Sequence, residues 1–450
     1  MSELLLTYYG DDFTGSTAAL EELALGGVPA VLFLEPPDPE LVAARFPGVK
    51  AVGVAGTSRS MNLAEMEEAL PPIFAALKRL GAPICHYKVC STFDSSPGVG
   101  SIGRAIDIGW RTFDPAFVPV VIGAPGFKRY VLFGNLFATV GDETFRLDRH
   151  LTMRHHPVTP MDESDLRLHL ARQTSRRIAL VDVLQLAGPD AALEEQLAEL
   201  RRADNEVILF DTLDESHLLK IGRLLWEQAR RKPLFAVGSQ GLETALAGWW
   251  REQVIAQDAP FFEPPGYAGK IIVMSGSASP VTAAQIAWAE ANGFQSIRLD
   301  VPRLLDPQTA RSESEEMARQ GAAILDAGAS PLFYSARGPG DPALSSLNSL
   351  EPGQTGLGRR LGIAQGQLLR NLLEKTAVRR ICVAGGDTSS YVVQQLGLFA
   401  MTVVYPLSPG APLCRAYSKS ALPDLDGLEL SLKGGQVGAP DFFGRIKRGQ

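Results

Sequence analysis

Short apolar runs, each followed by an amphipathic helical pattern, recur along the chain and constrain its fold more than any other feature. Strands of this kind are typical of a parallel sheet that helices cover on both faces. In the first half they are predicted at Leu4–Tyr8, Ala30–Leu34, Ala51–Ala55, Ile84–Val89, Val118–Ile122, Ile178–Leu180, Val207–Phe210 and Leu234–Val237. A second series is predicted at Ile271–Met274, Ser296–Leu299, Leu332–Tyr334, Ile381–Ala384 and Thr402–Val404.

The Pro- and Gly-rich segment Phe261–Gly269 separates the two series. With 450 residues the chain is also too long for one ordinary core. We therefore expect an α/β protein of two doubly wound domains, 1–255 and 268–450, with mostly parallel sheets and an interdomain cleft. Ligands of such folds bind beyond the carboxyl ends of the strands, so the loops after the strands are the candidate sites.

Net charge, apolar stretches and cysteine spacing exclude several kinds of binding partner and site. A net charge of −7 and a pI near 5.5 argue against nucleic acid, because phosphate backbones favour clustered Lys and Arg. No apolar stretch is long enough to span a membrane, and no secretory signal is evident, so we expect a cytoplasmic protein with no membrane partner. The four cysteines form no C-x-x-C pair, so neither a zinc site nor a disulfide framework is indicated.

The motif Gly385-Gly386-Asp387-Thr388 directly follows the predicted strand Ile381–Ala384 and precedes a helical pattern. A tight turn of two glycines lets backbone N–H groups approach an anion at a helix N-terminus, where the helix dipole favours negative charge. A phosphate group is the usual anion. The alternative is a well-capped turn between strand and helix with no ligand.

Two further loops of the second half are candidates for phosphate or adenine contacts. Ser277 and Ser279 follow the first strand of the second series, where small residues permit close approach of the backbone and hydroxyls can reach phosphate oxygens. Lys433, Gly434 and Gly435 combine a cation with bare backbone amides near the C-terminus. An ordinary helix cap and a flexible turn are the respective alternatives.

In the first half, Asp11 and Asp12 follow the first predicted strand. Adjacent carboxylates are costly to crowd together unless they meet cations, donors or a substrate hydroxyl. One of them could accept a proton from a sugar hydroxyl, and Asp12 is favoured slightly for that catalytic role. The alternative is that Asp12 only caps the following helix.

A second polar loop follows the strand that ends near Lys88. Its side chains Ser91, Thr92, Asp94 and Ser95 are short hydroxyl and carboxylate groups. Such a loop can hold a polyhydroxylated acid, with the lysine on the carboxylate and the small side chains on hydroxyls. The alternative is a solvated loop.

The same loop continues into Gly98-x-Gly100-x-x-Gly103, which matches a dinucleotide fingerprint. The match is weak, because polar residues separate it from the strand and no acidic residue follows at the expected distance. A nicotinamide-dependent oxidoreductase is therefore one alternative function. A non-catalytic sugar-acid binding protein is another, and the lack of a signal segment argues against it.

Several ordered segments resemble the four-carbon acid sugar kinase family, once known as a domain of unknown function. They are Gly10–Gly15, His156–Met161, Gly238–Leu242, Ser275–Ser279, Gly385–Thr388 and Lys433–Gly435. The resemblance spans nearly the whole chain. It implies a cytoplasmic kinase that phosphorylates a small sugar acid with ATP and Mg²⁺, and a homodimer is compatible with it.

The resemblance also implies a role for individual residues. The N-terminal domain would bind the acid sugar and the C-terminal domain the nucleotide. The residues implied in ATP binding are Ser277, Ser279, Gly385, Gly386, Asp387, Thr388, Gly434 and Gly435, and those implied on the acid-sugar side are Asp11, Asp12 and Lys88.

The substrate loop departs from the family pattern. Much of the family has Lys-x-x-Asp-Ser-Thr followed by Leu-Arg-Gly, whereas this chain has Cys90 in place of the aspartate and Phe93–Pro97 in place of the Leu-Arg-Gly continuation. The arginine that could bind a carboxylate is absent, so either the substrate differs or Lys88 and Arg104 replace it. The variant resembles a subgroup that acts on branched or oxidised sugar acids such as 3-oxo-isoapionate.

Overall fold

The computed structural model describes residues 4–156, 158–258, 260–344, 356–418 and 424–450. The chain forms two compact units. The first unit comprises Met1–Asp11 and Glu22–Pro260, and the second unit comprises Asp12–Glu21 and Phe261–Gln450. The sequence predicted two contiguous domains, 1–255 and 268–450. A ten-residue segment of the N-terminal region belongs instead with the second unit.

The main sheet of the first unit is entirely parallel, as the alternating pattern predicts. Its strands are β1 (Leu6–Gly10), β2 (Ala30–Phe33), β3 (Ala51–Ala55), β4 (Ile84–Lys88), β5 (Val118–Val121), β9 (Ile178–Val181), β10 (Val207–Phe210) and β11 (Leu234–Gly238). Their order is β2-β3-β1-β4-β11-β5-β10-β9. The strands are buried on both faces, which explains their continuous apolar runs.

The helices in the chain up to residue 260 begin at clear local signals. They are α1 (Phe13–Leu25), α2 (Pro39–Arg45), α3 (Leu63–Arg79), α4 (Ile102–Phe113), α5 (Leu166–Ala171), α6 (Val183–Ala187), α7 (Asp190–Arg202), α8 (Glu215–Ala229) and α9 (Gly241–Glu252). Asn62 caps α3 in a reciprocal arrangement with Glu65, and Asp214 caps α8 through two backbone amides.

A small antiparallel sheet follows β5 and was not predicted from the sequence. It consists of β6 (Arg129–Leu132), β7 (Asn135–Val140) and β8 (Glu143–Arg146). The turn between β6 and β7 holds Phe133 and Gly134 at φ of 50° and 80°. Their amides donate to the carboxylate of Asp211, directly after β10, at 2.5 and 2.8 Å. The side chain of Asp211 thus attaches the small sheet to the main one.

The sheet of the second unit combines parallel and antiparallel strands. Its members are β12 (Ile272–Ser275), β13 (Phe294–Arg298), β14 (Ser330–Tyr334), β15 (Arg380–Ala384), β16 (Leu398–Tyr405), β17 (Leu413–Ser418) and β18 (Glu429–Lys433). The order is β13-β14-β12-β15-β18-β17-β16, and β17 runs antiparallel to both of its neighbours. The expectation of a mostly parallel α/β fold is confirmed, with this antiparallel part as the addition.

The helices of the second unit cover its sheet. They are α10 (Pro280–Ala291), α11 (Val301–Leu305), α12 (Ala310–Asp326), α13 (Leu357–Glu374), α14 (Gly386–Gln394) and α15 (Phe442–Arg448). Their apolar faces pack with the strands in a core that includes Val273, Ile286 and Phe442, all completely buried. None of the helices in the described ranges is long and apolar enough to cross a lipid bilayer.

Candidate active site

The three glycine- and serine-rich loops of the second unit leave the same edge of its sheet. In the strand register Ala384 at the end of β15 pairs with Ser275 of β12 on one side and with Lys433 of β18 on the other. The loops that follow these three residues are consequently neighbours. The structure thus brings together the three segments that the sequence singled out separately.

Side-chain contacts join two of these loops. Ser279 caps α10 by accepting from the Thr282 amide at 3.0 Å, and its hydroxyl donates to the Gly435 carbonyl. The Thr282 hydroxyl also lies 3.0 Å from that carbonyl and 3.1 Å from Ser277 Oγ. A Cβ at Gly435 would lie 2.8 Å from Ser277 Oγ, so glycine is required for this close approach. Gly434 precedes it at the start of the same turn, with room for a side chain beside Val437.

The turn after β15 has the shape that the anion-site interpretation requires. Gly385 adopts a φ of 137°, which a side chain would strain, and α14 begins at Gly386. A Cβ on Gly276 of the neighbouring loop would lie 2.6 Å from Thr388, so these two loops are packed closely. A Cβ on Gly386, in contrast, would meet nothing within 4 Å. The backbone of Gly386 therefore borders open space at the start of a helix. Asp387 is in α14, and its side chain lies outside the described part of the structure.

Lys433 places a buried positive charge beside these loops. Its ammonium group donates to Thr282 Oγ1 at 3.0 Å, and the side chain has no exposed surface. Burial lowers the pKa of Lys433 to about 8, since a desolvated ammonium is costly. An anion bound at the loops would compensate that cost.

In the first unit, the strands β1, β3, β4 and β11 also end at one edge. Gly10 pairs with Ala55 and Lys88, and Lys88 pairs with Gly238. The loops after these strands carry the polar residues that the sequence indicated. One further residue was missed: Arg59, in the loop after β3.

The Arg59 guanidinium binds the carboxylate of Asp11 through two hydrogen bonds, of 2.7 and 3.2 Å. The Asp11 residue is almost completely buried, with 2% of its surface exposed. The pair resolves the crowding of adjacent carboxylates, because one of the two is neutralised by a cation. A sequence signal existed, since Arg59 lies in a loop after a buried strand, but nothing in the chain order linked it to Asp11.

Asp12 has the contacts of a helix cap. Its Oδ1 accepts from the Gly15 amide at 2.7 Å, and its Oδ2 accepts from the Thr14 hydroxyl at 2.6 Å. The alternative that the sequence left open for Asp12, an N-cap of α1, is therefore present in the structure. A carboxylate has several lone pairs, so a cap is compatible with a contact to substrate.

Lys88 is buried at the end of β4, and its ammonium group donates to the Val89 carbonyl at 2.8 Å. Burial raises the pKa of Glu22 to about 7, and the positive charge of Lys88 opposes part of that shift. The lysine thus supplies a buried charge at the base of the substrate loop.

The substrate loop is held by its own short side chains. The Thr92 hydroxyl donates to Asp94 at 2.5 Å and lies 3.0 Å from Cys90 Sγ. Burial raises the pKa of Cys90 to about 11, so the thiol is protonated and donates to Thr92. Ser91 is half-buried beside this chain of hydrogen bonds. Asp94 is the final acceptor of this series of hydrogen bonds, and 9% of its surface is exposed.

Ser95 has an internal role in the structure. Its hydroxyl donates to the Phe93 carbonyl at 2.9 Å and accepts from Gln173 at 2.9 Å. His169 Nε2 lies 3.0 Å from the same oxygen. These bonds fix the loop where Phe93 is held at a φ of 58°, a conformation that bulky residues seldom adopt.

Arg104 and two glycines of the dinucleotide-like pattern have contacts that stabilise the fold. Arg104, in the first turn of α4, forms an ion pair with Glu67 at 3.0 Å. A Cβ at Gly100 would lie 2.4 Å from the Arg59 carbonyl, and one at Gly103 would lie 2.5 Å from the backbone of Gln173. Close packing explains these two glycines of the dinucleotide-like pattern, which leaves the oxidoreductase interpretation without support.

Comparisons with known proteins agree with this division of the chain. A family model described as a sugar-binding N-terminal domain matches residues 6–246, and one described as a nucleotide-binding C-terminal domain matches residues 272–443. The 3-oxo-isoapionate kinase of Paraburkholderia graminis is 50% identical, over 99% of this chain and 95% of that protein. The 3-oxo-tetronate kinase of Pectobacterium atrosepticum is 29% identical, over 97% of each. A crystal structure of a Salmonella typhimurium protein has a TM-score of 0.77, with 27% identity and 98% coverage of both chains.

Two matched domains, one for a sugar and one for a nucleotide, define the class of a sugar kinase. The chain belongs to the four-carbon acid sugar kinase family, as the ordered motifs predicted. It is therefore a sugar acid kinase.

Proposed function

We propose that this protein transfers the γ-phosphoryl group of ATP to a hydroxyl of 3-oxo-isoapionate. The observation that carries the substrate is the 50% identity to a 3-oxo-isoapionate kinase over nearly the full length. The departure of the substrate loop from the usual family pattern supports the same choice, since Cys90 replaces an aspartate there.

The nucleotide phosphates would be bound by the three loops of the second unit. Small side chains and open space at Gly386 allow the amides of α14 to reach phosphate oxygens, where the helix dipole favours negative charge. Ser277, Ser279, Thr388 and the turn at Gly435 would complete the contacts, with Lys433 as a nearby charge. These features fit a triphosphate better than a neutral ligand.

Mg²⁺ would enter with the nucleotide. Within the described residues there is no group of three or more His, Cys, Asp and Glu side chains that could hold a metal ion. Magnesium in kinases is bound by few carboxylates together with the substrate phosphates, so such a cluster is not required. The ion would neutralise charge on the phosphates during transfer.

The acid sugar would be bound in the first unit, beside the loop of residues 88–98. Asp94 and Thr92 would contact hydroxyls, and Lys88 would supply positive charge. Asp12 would accept the proton of the attacking hydroxyl, since Asp11 is already neutralised by Arg59. Phosphoryl transfer requires chiefly such positioning and charge stabilisation.

The proposal is tested by measuring ADP release with a panel of sugar acids. We expect the highest kcat/KM with 3-oxo-isoapionate. A preference for 3-oxo-tetronate, the substrate named for relatives at about 30% identity, would contradict the choice of 3-oxo-isoapionate and retain the sugar acid kinase activity. No turnover with any acid, together with no thermal stabilisation by ATP, would contradict the kinase proposal.

A further inference from the structure

Arg129, the first residue of β6, is a cation of the first unit that lacks a carboxylate partner. Within the described residues it forms no ion pair, and its Nη1 donates to the carbonyls of Phe127 at 3.1 Å, Lys128 at 3.1 Å and Thr139 at 3.3 Å. Its Nε is buried and has no hydrogen-bond partner among the described residues. A partly desolvated guanidinium with an unused donor is costly unless an anion occupies the site during function.

The environment of Arg129 connects it to the substrate loop. Helix α5 contacts both the substrate loop and the small sheet: His169 Nε2 lies 3.0 Å from Ser95 Oγ, and the Leu166 amide donates to the Gly134 carbonyl, in the turn after β6, at 2.9 Å. Burial lowers the pKa of Arg129, and Cys90 and Asp94 oppose that shift. Both groups belong to the loop that departs from the family pattern. Three backbone carbonyls fix the position of the guanidinium, so the charge is held in place at the start of β6.

His150 adds a neutral donor beside the same small sheet, since its ring packs against Phe145 with the centroids 6.2 Å apart, and Phe145 and Arg129 both pair with Ala138 of β7. Its Nδ1 accepts from the amides of Met153 at 3.1 Å and Thr152 at 3.2 Å, so the ring proton is on Nε2. Burial, and then Arg129, lowers the pKa of His150, and Asp94 opposes that shift. The histidine is consequently neutral at pH 7 and has an N–H group to donate.

The sequence explains why a second cation is required there. The arginine of the usual Leu-Arg-Gly continuation is missing from this substrate loop. Arg104, the substitute that the sequence suggested, forms its ion pair with Glu67 instead. Arg129 comes from a different segment, the small antiparallel sheet, and supplies the same chemistry.

We propose that Arg129 and the Nε2–H of His150 bind the carboxylate of the sugar acid and so make the enzyme selective for acids over neutral sugars. The inference rests on the proposed function, because it assigns the carboxylate of that substrate. Asp94 is left to bind a hydroxyl, because its own negative charge repels the substrate carboxylate, which Arg129 and His150 hold instead.

The test replaces Arg129 with methionine, which retains the length of the stem and removes the charge. We expect Arg129→Met to raise the KM for 3-oxo-isoapionate about 10- to 100-fold, which corresponds to the loss of charged hydrogen bonds, and to leave the KM for ATP unchanged. The matched control is Arg146→Met in β8 of the same small sheet, where the arginine pairs with Asp148. That variant should retain the KM of the wild type.

A neutral analogue of the substrate, in which CH2OH replaces the carboxylate, distinguishes carboxylate binding by Arg129 from a purely structural role. Wild-type enzyme should prefer the acid, and Arg129→Met should lose that preference, whereas a disordered sheet would weaken both ligands equally. An unchanged KM for the acid, or an equal loss for acid and analogue, would overturn the inference.

Binding without turnover distinguishes this inference from the proposed function. We expect 3-oxo-isoapionate alone to raise the Tm of the wild type and of Arg146→Met, but not of Arg129→Met. A raised wild-type Tm without ADP release would contradict the kinase proposal and retain the carboxylate site. Equal shifts in wild type and Arg129→Met, or no shift in either, would contradict the carboxylate site.

Discussion

The two candidate binding regions differ in the groups that they offer to a ligand. In the second unit, glycines and small side chains at three neighbouring strand ends expose backbone amides, and Gly386 borders open space. In the first unit, charged side chains form the candidate region, including the pair of Arg59 and Asp11 and also Arg129, whose buried Nε has no partner in the described part of the chain. A site formed by backbone amides tolerates few substitutions, because an added side chain blocks the approach of the ligand. A site formed by side chains can change its specificity through single substitutions.

This difference explains how a family can retain one nucleotide and change its acid. The nucleotide loops are linked through the Gly435 carbonyl and the packing of Gly276 on Thr388, so a substitution disturbs several contacts. In the substrate loop, in contrast, the contacts are between single side chains: Thr92 lies 3.0 Å from Cys90 Sγ and donates to Asp94 at 2.5 Å. Mutations in the two regions should therefore have separable effects.

The largest effect is expected at Asp12, where cap and catalytic roles coincide. Asp12→Asn retains an oxygen acceptor for the Gly15 amide but cannot take a proton, so kcat should fall about 10²- to 10⁴-fold with little loss of stability. The matched control is Asp214→Asn, which alters the cap of α8 and should leave kcat unchanged. Wild-type kcat in Asp12→Asn would show that this carboxylate is only a cap.

The next effect is expected at Gly386, which tests backbone recognition. Gly386→Ala should raise the KM for ATP about tenfold, equivalent to about 1.4 kcal/mol, because a methyl group enters the space proposed for phosphate. The KM for the sugar acid should not change. The fold should tolerate the change, since a Cβ there meets no other atom within 4 Å.

Gly248→Ala in α9 is the control for the helical alanine itself, because a Cβ there makes only an ordinary contact, 3.7 Å from Leu219. It should leave both KM values unchanged. If Gly386→Ala also retains the wild-type KM for ATP, the turn is structural and the proposed contrast between the two regions is wrong.

A smaller effect is expected from pH, through Lys433. ATP affinity should decline as pH rises through about 8, because the buried ammonium then loses its proton and its charge. Stability should change in the opposite direction, rising between pH 8 and the ordinary value of 10.5, since the unfolded chain holds the proton in that interval. Titration calorimetry at several pH values measures the first effect, and thermal unfolding measures the second. ATP affinity that does not depend on pH would place this charge outside the nucleotide site.

The smallest effect on substrate KM is expected at Ser95. The sequence predicted that this side chain contacts the substrate, but in the structure its hydroxyl hydrogen-bonds to the protein itself. Ser95→Ala should lower the free energy of unfolding by about 1 kcal/mol and change the KM for the acid little. Ser312→Ala, which removes an exposed hydroxyl that donates to the Thr309 carbonyl, should have a weaker effect on stability. A large rise in KM without a loss of stability would restore the substrate role.

The sequence predicted the parallel core and located the three neighbouring glycine- and serine-rich loops for a physical reason. Buried parallel strands are continuous apolar runs, and the glycines that follow them are required by close packing or by positive φ, as at Gly385. These signals are local, so they can be read along the chain. The strand register then makes the loops neighbours without further information.

The acid-sugar side could be predicted only in part. The substrate loop was found because it follows a strand, but Arg59 and Arg129 belong to other segments, and no local pattern links them to that loop. The small sheet of β6, β7 and β8 was missed because its strands are partly exposed and lack the continuous apolar runs of the buried strands. The segment 12–21 joins the second unit through contacts such as the Phe13 amide with Ser390 Oγ, a pairing that is 377 residues apart in the chain.

The most direct test of the contrast is amide hydrogen exchange with one ligand at a time. A non-hydrolysable ATP analogue should slow exchange in residues 276–279, 385–389 and 434–436, and leave residues 88–96 unchanged. The sugar acid should slow exchange in 88–96 and not in the other three segments. Protection by the nucleotide in 88–96, or its absence at 385–389, would contradict the account.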